Sequence, residues 1–286
     1  PRPVGMENTY KTYLKKARIQ PATYFSVRQS KKEGEQFFWC YTPIWLTVMA
    51  LVVYTGWYKH WDDYGYACFG LVMSLPCILW PIFFPFGADV HRPWYERYAT
   101  KANLWIALFN FVGNYFWTHY FFALLGAAYT FPTRWTINGI PLFLFGLTQP
   151  YFITYHMLSN AVIRKVWYGT PNVYSRYINC AIVIVGLSLF VAFMETWTIQ
   201  YVPYYNFTDR NAMYFYGTTF YALYFVVSFP VFFWLDEEPG SRWSLLVTAG
   251  SSLAAAMVVF ILCDFWRLII GQISEQRSGS DLPFLQ

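Results

Sequence analysis

Residues 102–133 read ANLWIALFNFVGNYFWTHYFFALLGAAYTFPT, a stretch of 32 positions without one Lys, Arg, Asp or Glu. About 20 mostly apolar residues are enough for a helix to cross a bilayer, so this stretch can span one and turn. Working outward, further uncharged stretches cover 36–58, 64–88, 135–163, 177–194, 211–235 and 243–263. Together they predict seven helices, near 37–57, 64–88, 102–128, 141–163, 177–202, 213–235 and 244–268. In lipid only helices or closed barrels satisfy the backbone, and these runs lack the in-out alternation of barrel strands. The expected fold class is all-α: a polytopic membrane helix bundle of about seven transmembrane helices, or six if one segment is re-entrant.

Composition leads to the same class. Of 286 residues, 57% are apolar, 67 are aromatic and 12% are charged. A soluble domain carries about a quarter charged residues, and so many aromatics are the reverse of a disordered composition. The aromatic excess holds the mean hydropathy to +0.29, which understates how apolar the spans are. Residues 1–36 hold eight Lys/Arg against three Asp/Glu, so the whole net charge of +5 sits in that arm and the remainder balances. No basic cluster follows, which argues against a nucleic-acid partner. The expected organisation is a basic N-terminal arm over 1–36, a membrane helical domain over 37–271 and a short tail over 272–286.

With the arm cytoplasmic, that side collects 15 Lys/Arg against five on the other, which predicts the N-terminus inside. Within the arm, Tyr10 to Lys32 reads as a solvated topogenic tail or as a segment lying on anionic lipid. The five cysteines fall inside spans, too scattered for a disulfide framework or a zinc site. Asn206-Phe207-Thr208 is a glycosylation sequon in a predicted lumenal turn, close to a helix end.

Ionisable groups at membrane depth are functional candidates by default. Three lie well inside spans: His119, His156 and Glu195; Asp264 and Arg267 sit near the lumenal end of the last. At about 1.5 Å per residue, His119, Gln149, Glu195 and Asp264 fall in one lumenal layer, and His156 with Asn160 in another. Asn110 and Asn114 share a face of the third helix, with His119 on nearly the opposite side. Each has a structural reading: Asp264 and Arg267 as an i, i+3 pair, His156 with Asn160 and the two Asn as interhelical glue. Glu195 is hardest to dismiss, because no cation lies within a turn or two of it. The aromatic run Tyr115–Phe122 and the sixth-span residues from Tyr214 to Phe225 would suit a flat apolar ligand or a carbocation; core packing is the plainer alternative.

Several strings resemble the plant-type cycloeucalenol cycloisomerase family, the cyclopropyl sterol isomerases. They are Lys101-Ala102-Asn103-Leu104-Trp105-Ile106; Gly113 through Phe122; Tyr129-Thr130-Phe131-Pro132; Tyr155-His156 with Ser159-Asn160; Glu195-Thr196; and Pro203-Tyr204-Tyr205 followed by Asp209-Arg210. Further matches are Ala212-Met213-Tyr214, Phe220-Tyr221-Ala222 through Tyr224-Phe225 to Ser228-Phe229-Pro230, Asp236-Glu237, and Asp264 with Trp266-Arg267-Leu268. The likeness runs from about Phe37 to Gly271; the arm, the turn 89–96, Trp197-Thr198 and Trp234 depart from it.

The resemblance implies a sterol isomerase of the endoplasmic reticulum membrane. It would open the 9β,19-cyclopropane ring of a cycloeucalenol-type sterol to the Δ8 sterol, obtusifoliol, by protonation at C19 and proton loss from C8. No nicotinamide, flavin or metal is implied, and the partners are sterol and bilayer. A non-catalytic sterol-binding or transport protein is the alternative. For that reaction Glu195 is the expected proton donor, because apolar surroundings favour the neutral form of a carboxyl. His119 is the candidate to orient it, relay the proton or accept the one from C8, and Asp264 the reserve acid. Substrate-facing candidates are Asn114, for the 3-hydroxyl or a water, with Gln149, Tyr155 and His156; Tyr115, Trp117, Tyr221 and Tyr224 would stabilise charge at C9.

Overall fold

A computed structural model describes residues 22–238 and 240–272. Most of the expected basic arm, and the tail beyond Gln272, lie outside the described residues. The described chain is helical almost throughout. Helix α1 (Gln29–Thr55) and α2 (Asp63–Phe83) come first. Helix α3 (Tyr98–Val112) continues through a π-helical turn, Gly113–Trp117, into α4 (Thr118–Leu125). Helices α5 (Leu142–Gly169) and α6 (Val173–Ile199) follow. A short α7 (Arg210–Ala212) leads through a second π turn, Met213–Gly217, into α8 (Thr218–Phe233), and α9 (Leu245–Ile269) closes the bundle. Counting α3–α4 and α7–α8 as single rods, seven long helical segments stand close to the seven predicted spans.

Local chemistry sets several ends. Asp62 caps α2 by accepting from the Gly65 N–H at 2.8 Å, Asn172 caps α6 from Ser175 at 3.1 Å, and Ser244 caps α9 from Val247 at 3.2 Å. α1 stops at Gly56, which takes the left-handed conformation, φ 67°. It starts at Gln29, inside the expected arm, and buries Lys31 and Glu35.

α5 is the central rod, packed against α1, α2, α3, α6 and α8. Its crossing with α2 is close: a Cβ on Gly70 would stand 2.7 Å from the Phe143 carbonyl oxygen, and one on Gly146 2.7 Å from that of Gly70. Small residues that let backbones meet are the usual device of membrane bundles. Among the described residues, five helical segments are long and apolar enough to cross a membrane: α1, α2, α6, α7–α8 and α9. The other two, α3–α4 and α5, carry the buried polar side chains Asn103, Asn110, Asn114, Gln149, His156 and Asn160. Polar groups thus line the centre. Apolar ones such as Leu51, Val72, Ile182 and Met257 face outward, an arrangement suited to lipid.

Each end of the bundle is tied differently. At the end where α1 begins, Arg164 grips Glu237 through Nε and Nη2, both at 2.8 Å, and Glu35 through Nη2 at 2.7 Å. Lys31 meets Glu237 at 2.9 Å, and Lys101 pairs with Asp236. At the opposite end two short antiparallel ladders close the loops. β1 (Ala127–Tyr129) pairs with β4 (Tyr205–Phe207), with Ala128 opposite Asn206. β2 (Thr136–Ile137) pairs with β3 (Ile140–Pro141) around Asn138-Gly139, both at positive φ, 51° and 72°, the backbone a two-residue hairpin turn requires.

Candidate active site

Glu195 is set in the last part of α6, two turns after Ser188, whose hydroxyl is tied to the Ile184 carbonyl. Its Oε2 accepts a hydrogen bond from the Tyr221 hydroxyl of α8 at 2.8 Å. The Tyr155 hydroxyl of α5 is a second phenol interacting with the same carboxyl. No cation is paired with it among the described residues.

Three adjoining cavities share Glu195. The first, about 570 Å³ including its mouth, is walled by Trp117, Phe121, Phe152, Tyr221 and Tyr224, with Asn110, Asn114 and Thr148 as polar groups. A second, about 890 Å³ by the same measure, runs between α1, α2 and α5 and is lined by apolar and aromatic side chains such as Val52, Phe69, Phe143 and Leu147. The third, about 1560 Å³ including open space, is a cleft between α1 and α6, from Leu46, Ala50 and Tyr54 to Met194 and Tyr201, with Tyr155 on its floor. Tyr54 and Tyr201 are exposed on the outer surface, so this cleft faces the position of lipid. Tyr129 and Tyr205, paired in the β1–β4 ladder, border the first two cavities and close that end.

Both π turns contribute to the first cavity. Gly113, Asn114 and Trp117 come from one and Met213 from the other. Trp117 packs its ring at a tilt against Tyr224, with centroids 4.6 Å apart, and edge-to-face against Phe109 at 4.8 Å. π turns recur at functional sites in helices, and here two of them face one acid.

The structure brings together Glu195, Asn114, Trp117, Tyr155, Tyr221 and Tyr224 of the expected residues. It places the others elsewhere. His119 is buried on the far side of α4, against Phe122 and the backbone of Asn138, and borders none of the three cavities. Tyr115 packs on Phe111 and Phe116, its carbonyl accepting from Asn138 at 2.8 Å. Asp264 accepts from Arg267 at 2.7 Å and from Tyr120 at 3.3 Å, the i, i+3 pairing. His156 bonds the Phe152 carbonyl at 2.7 Å and the Ser228 hydroxyl at 3.0 Å amid Trp105, Phe229 and Phe232. Gln149 donates to Asn103 Oδ1 at 3.0 Å. The helix-depth arithmetic put Gln149 in the layer of Glu195, but the side chain at the cavity is Thr148, one position earlier. Among the described residues no group of three or more His, Cys, Asp or Glu stands together as a metal site would need.

Asn114 donates to the Asn110 carbonyl and to Thr148 Oγ1, both at 3.0 Å, so both of its N–H bonds are committed. Asn110 differs: 3% exposed, it has no hydrogen-bond partner for either amide atom among the described residues, and the Trp117 Nε1 N–H has none either. A buried polar group left unpaired costs about 1–3 kcal/mol. The shared face of Asn110 and Asn114 was readable from spacing; which of the two is uncommitted was not.

No protein-family model matches the chain, and no solved structure does. Over 264 residues it is 44% identical to a protein of Arabidopsis thaliana, cycloeucalenol cycloisomerase, covering 91% of this chain and 94% of that one. The matched region takes in nearly every element that builds the three cavities. The chain belongs to the cycloeucalenol cycloisomerase family.

Proposed function

We propose that the chain is a membrane sterol isomerase that opens the 9β,19-cyclopropane ring of a cycloeucalenol-type sterol, with Glu195 as its acid. The observation that carries this reading is a carboxyl with no cation paired to it among the described residues, hydrogen-bonded by the Tyr221 hydroxyl with the Tyr155 hydroxyl close by, where an aromatic cavity and a lateral cleft meet. A membrane-dissolved sterol enters sideways, between α1 and α6, without crossing water.

The protonated Glu195 carboxyl delivers its proton to C19. The C9–C19 bond supplies the electron pair and becomes a C–H bond of the new methyl group, leaving positive charge at C9. The 8β hydrogen and the bridging methylene lie on the same sterol face, so the Glu195 carboxylate takes the C8 proton. The C8–H electrons form the Δ8 double bond, and the acid returns to its starting state. No electrons enter or leave. Trp117, Phe121, Tyr221 and Tyr224 line the cavity, and their π-systems stabilise a cation that water would otherwise capture. The Tyr221 and Tyr155 hydroxyls steady the carboxylate between the two transfers. His119 and Asp264, outside the three cavities, are left out of proton transfer. His119→Ala separates the two versions: lost turnover with sterol binding intact would bring that imidazole back into the chemistry.

The test is incubation of the membrane-embedded protein with cycloeucalenol in deuterated water. The acid exchanges with solvent between turnovers, so one deuterium is expected in the C19 methyl of the Δ8 product. Recovery of the cyclopropyl sterol unchanged would overturn the isomerase reading in favour of a binding or transport protein.

A further inference from the structure

The first cavity is not uniform along its length. Asn110 and Trp117 border it and neither of the others; Glu195 borders all three; beyond Glu195 the second cavity and the cleft are lined mainly by apolar and aromatic side chains. The first cavity thus combines an uncommitted amide and an indole N–H with the acid, and it adjoins largely apolar space. A 3-hydroxy cyclopropyl sterol carries the matching groups: a hydroxyl on ring A, the cyclopropane at the ring fusion, and an alkyl side chain.

Asn110 has the chemistry for the first of these positions. Its side chain is 3% exposed, and both its Oδ1 and Nδ2 lack a partner among the described residues, as does Trp117 Nε1. A hydroxyl is one donor and one acceptor. It can give its hydrogen to Oδ1 and take one from Nδ2 or from the indole. Asn114 cannot serve equally, because its N–H bonds already go to the Asn110 carbonyl and Thr148. We infer that Asn110, with the Trp117 indole N–H, is the anchor for the sterol 3-hydroxyl, and that this anchor sets how far the cyclopropane slides along the cavity toward Glu195. The inference rests on the isomerase reading for the identity of the sterol, but it is a statement about binding and is tested as one.

The experiment compares Asn110→Leu, which keeps the number and branching of side-chain heavy atoms and removes both polar ones, and Trp117→Phe with the unaltered protein, all full-length in nanodiscs. Equilibrium binding and turnover are measured for cycloeucalenol and for its 3-deoxy analogue. Asn110→Leu is expected to weaken cycloeucalenol binding 10- to 100-fold and Trp117→Phe about three- to tenfold, while neither weakens binding of the 3-deoxy sterol. Ligand-free Asn110→Leu is expected to melt at or above the temperature of the unaltered protein, since it loses an unpaired buried amide. Equal losses for both sterols, or a lower melting temperature, would make Asn110 a packing residue and overturn the proposal. Should the unaltered protein bind cycloeucalenol yet release it unchanged, the isomerase reading fails, while the binding comparison still decides on Asn110.

Discussion

Glu237 and Glu195 are the same residue at two places in one bundle, and they are held in opposite ways. At the end where α1 begins, Glu237 lies in the turn between α8 and α9, fully buried, with Arg164 on it at 2.8 Å and Lys31 at 2.9 Å. Asn160 joins through Glu35 at 3.1 Å, and Lys31 also donates to the Phe233 and Leu235 carbonyls at 2.7 Å. Lys31, Glu35, Arg164 and Glu237 are all paired within one buried cluster. Glu195 has phenols in place of cations, and three cavities meet at it. A carboxylate locked between two cations cannot give up or regain a proton at low cost. One facing neutral hydroxyls across an open space can do both. The contrast separates charge that holds helices together from charge available for chemistry.

The strongest way to break the contrast is Glu195→Gln. It is expected to lower turnover about 10³-fold, within the range for losing a positioned acid, while sterol binding and folded yield stay near normal. Product formation and binding measured on the same preparation check this; near-normal turnover would remove Glu195 from the mechanism. The mirror-image experiment is Arg164→Met. Removing one partner leaves buried carboxylates uncompensated, a loss of about 3–5 kcal/mol, seen as lower folded yield and melting temperature. Turnover per folded molecule is expected to hold.

Tyr221→Phe probes the neutral side of the comparison. It deletes the hydrogen bond to Glu195 and is expected to reduce turnover about tenfold with a small change in melting temperature. A gentler test uses pH. Burial alone would push the Glu237 carboxyl up, but Lys31 and Arg164 outweigh it and hold it well below the ordinary carboxylate range. A depressed folded value means stability that is fully present above the unfolded value and lost as pH falls toward the folded one. Melting temperatures should therefore drop as pH falls below about 4.5, and Glu237→Gln, destabilised at neutral pH, should lose part of that slope.

Charge spacing made the seven rods legible, because each loop carries the charges that the spans lack. It misplaced ends where a charge belongs to the interior. α1 begins at Gln29 rather than near 37 because Lys31 and Glu35 are paired inside the protein, and α5 runs on to Gly169 past Arg164 for the same reason. The acidic turn at Asp236-Glu237 supplies the partners of Lys31, Lys101 and Arg164. In the site, Glu195 stood out by isolation from cations, and the two Asn by helical spacing. Depth along the axis could not place Gln149, since it does not tell which face a side chain takes: Gln149 turns to Asn103 while Thr148 beside it reaches the cavity. The β1–β4 ladder pairs segments nearly 80 residues apart, Ala127 with Phe207, and two- or three-residue strands leave no period to read.

The two π turns have a further consequence. A π turn holds one residue more than the α turn it replaces. Taking one residue out of Gly113–Trp117 would leave the rest of the rod's composition untouched yet swing α4 about 100° against α3. Phe121 would leave the wall it shares with Asn110, though neither was altered, and Met213–Gly217 governs α8 in the same way. The cavity is thus encoded in chain length as well as in side chains. Deletion scanning across these two pentapeptides is expected to abolish it even at Tyr115, Phe116, Phe215 and Tyr216, whose side chains do not line it.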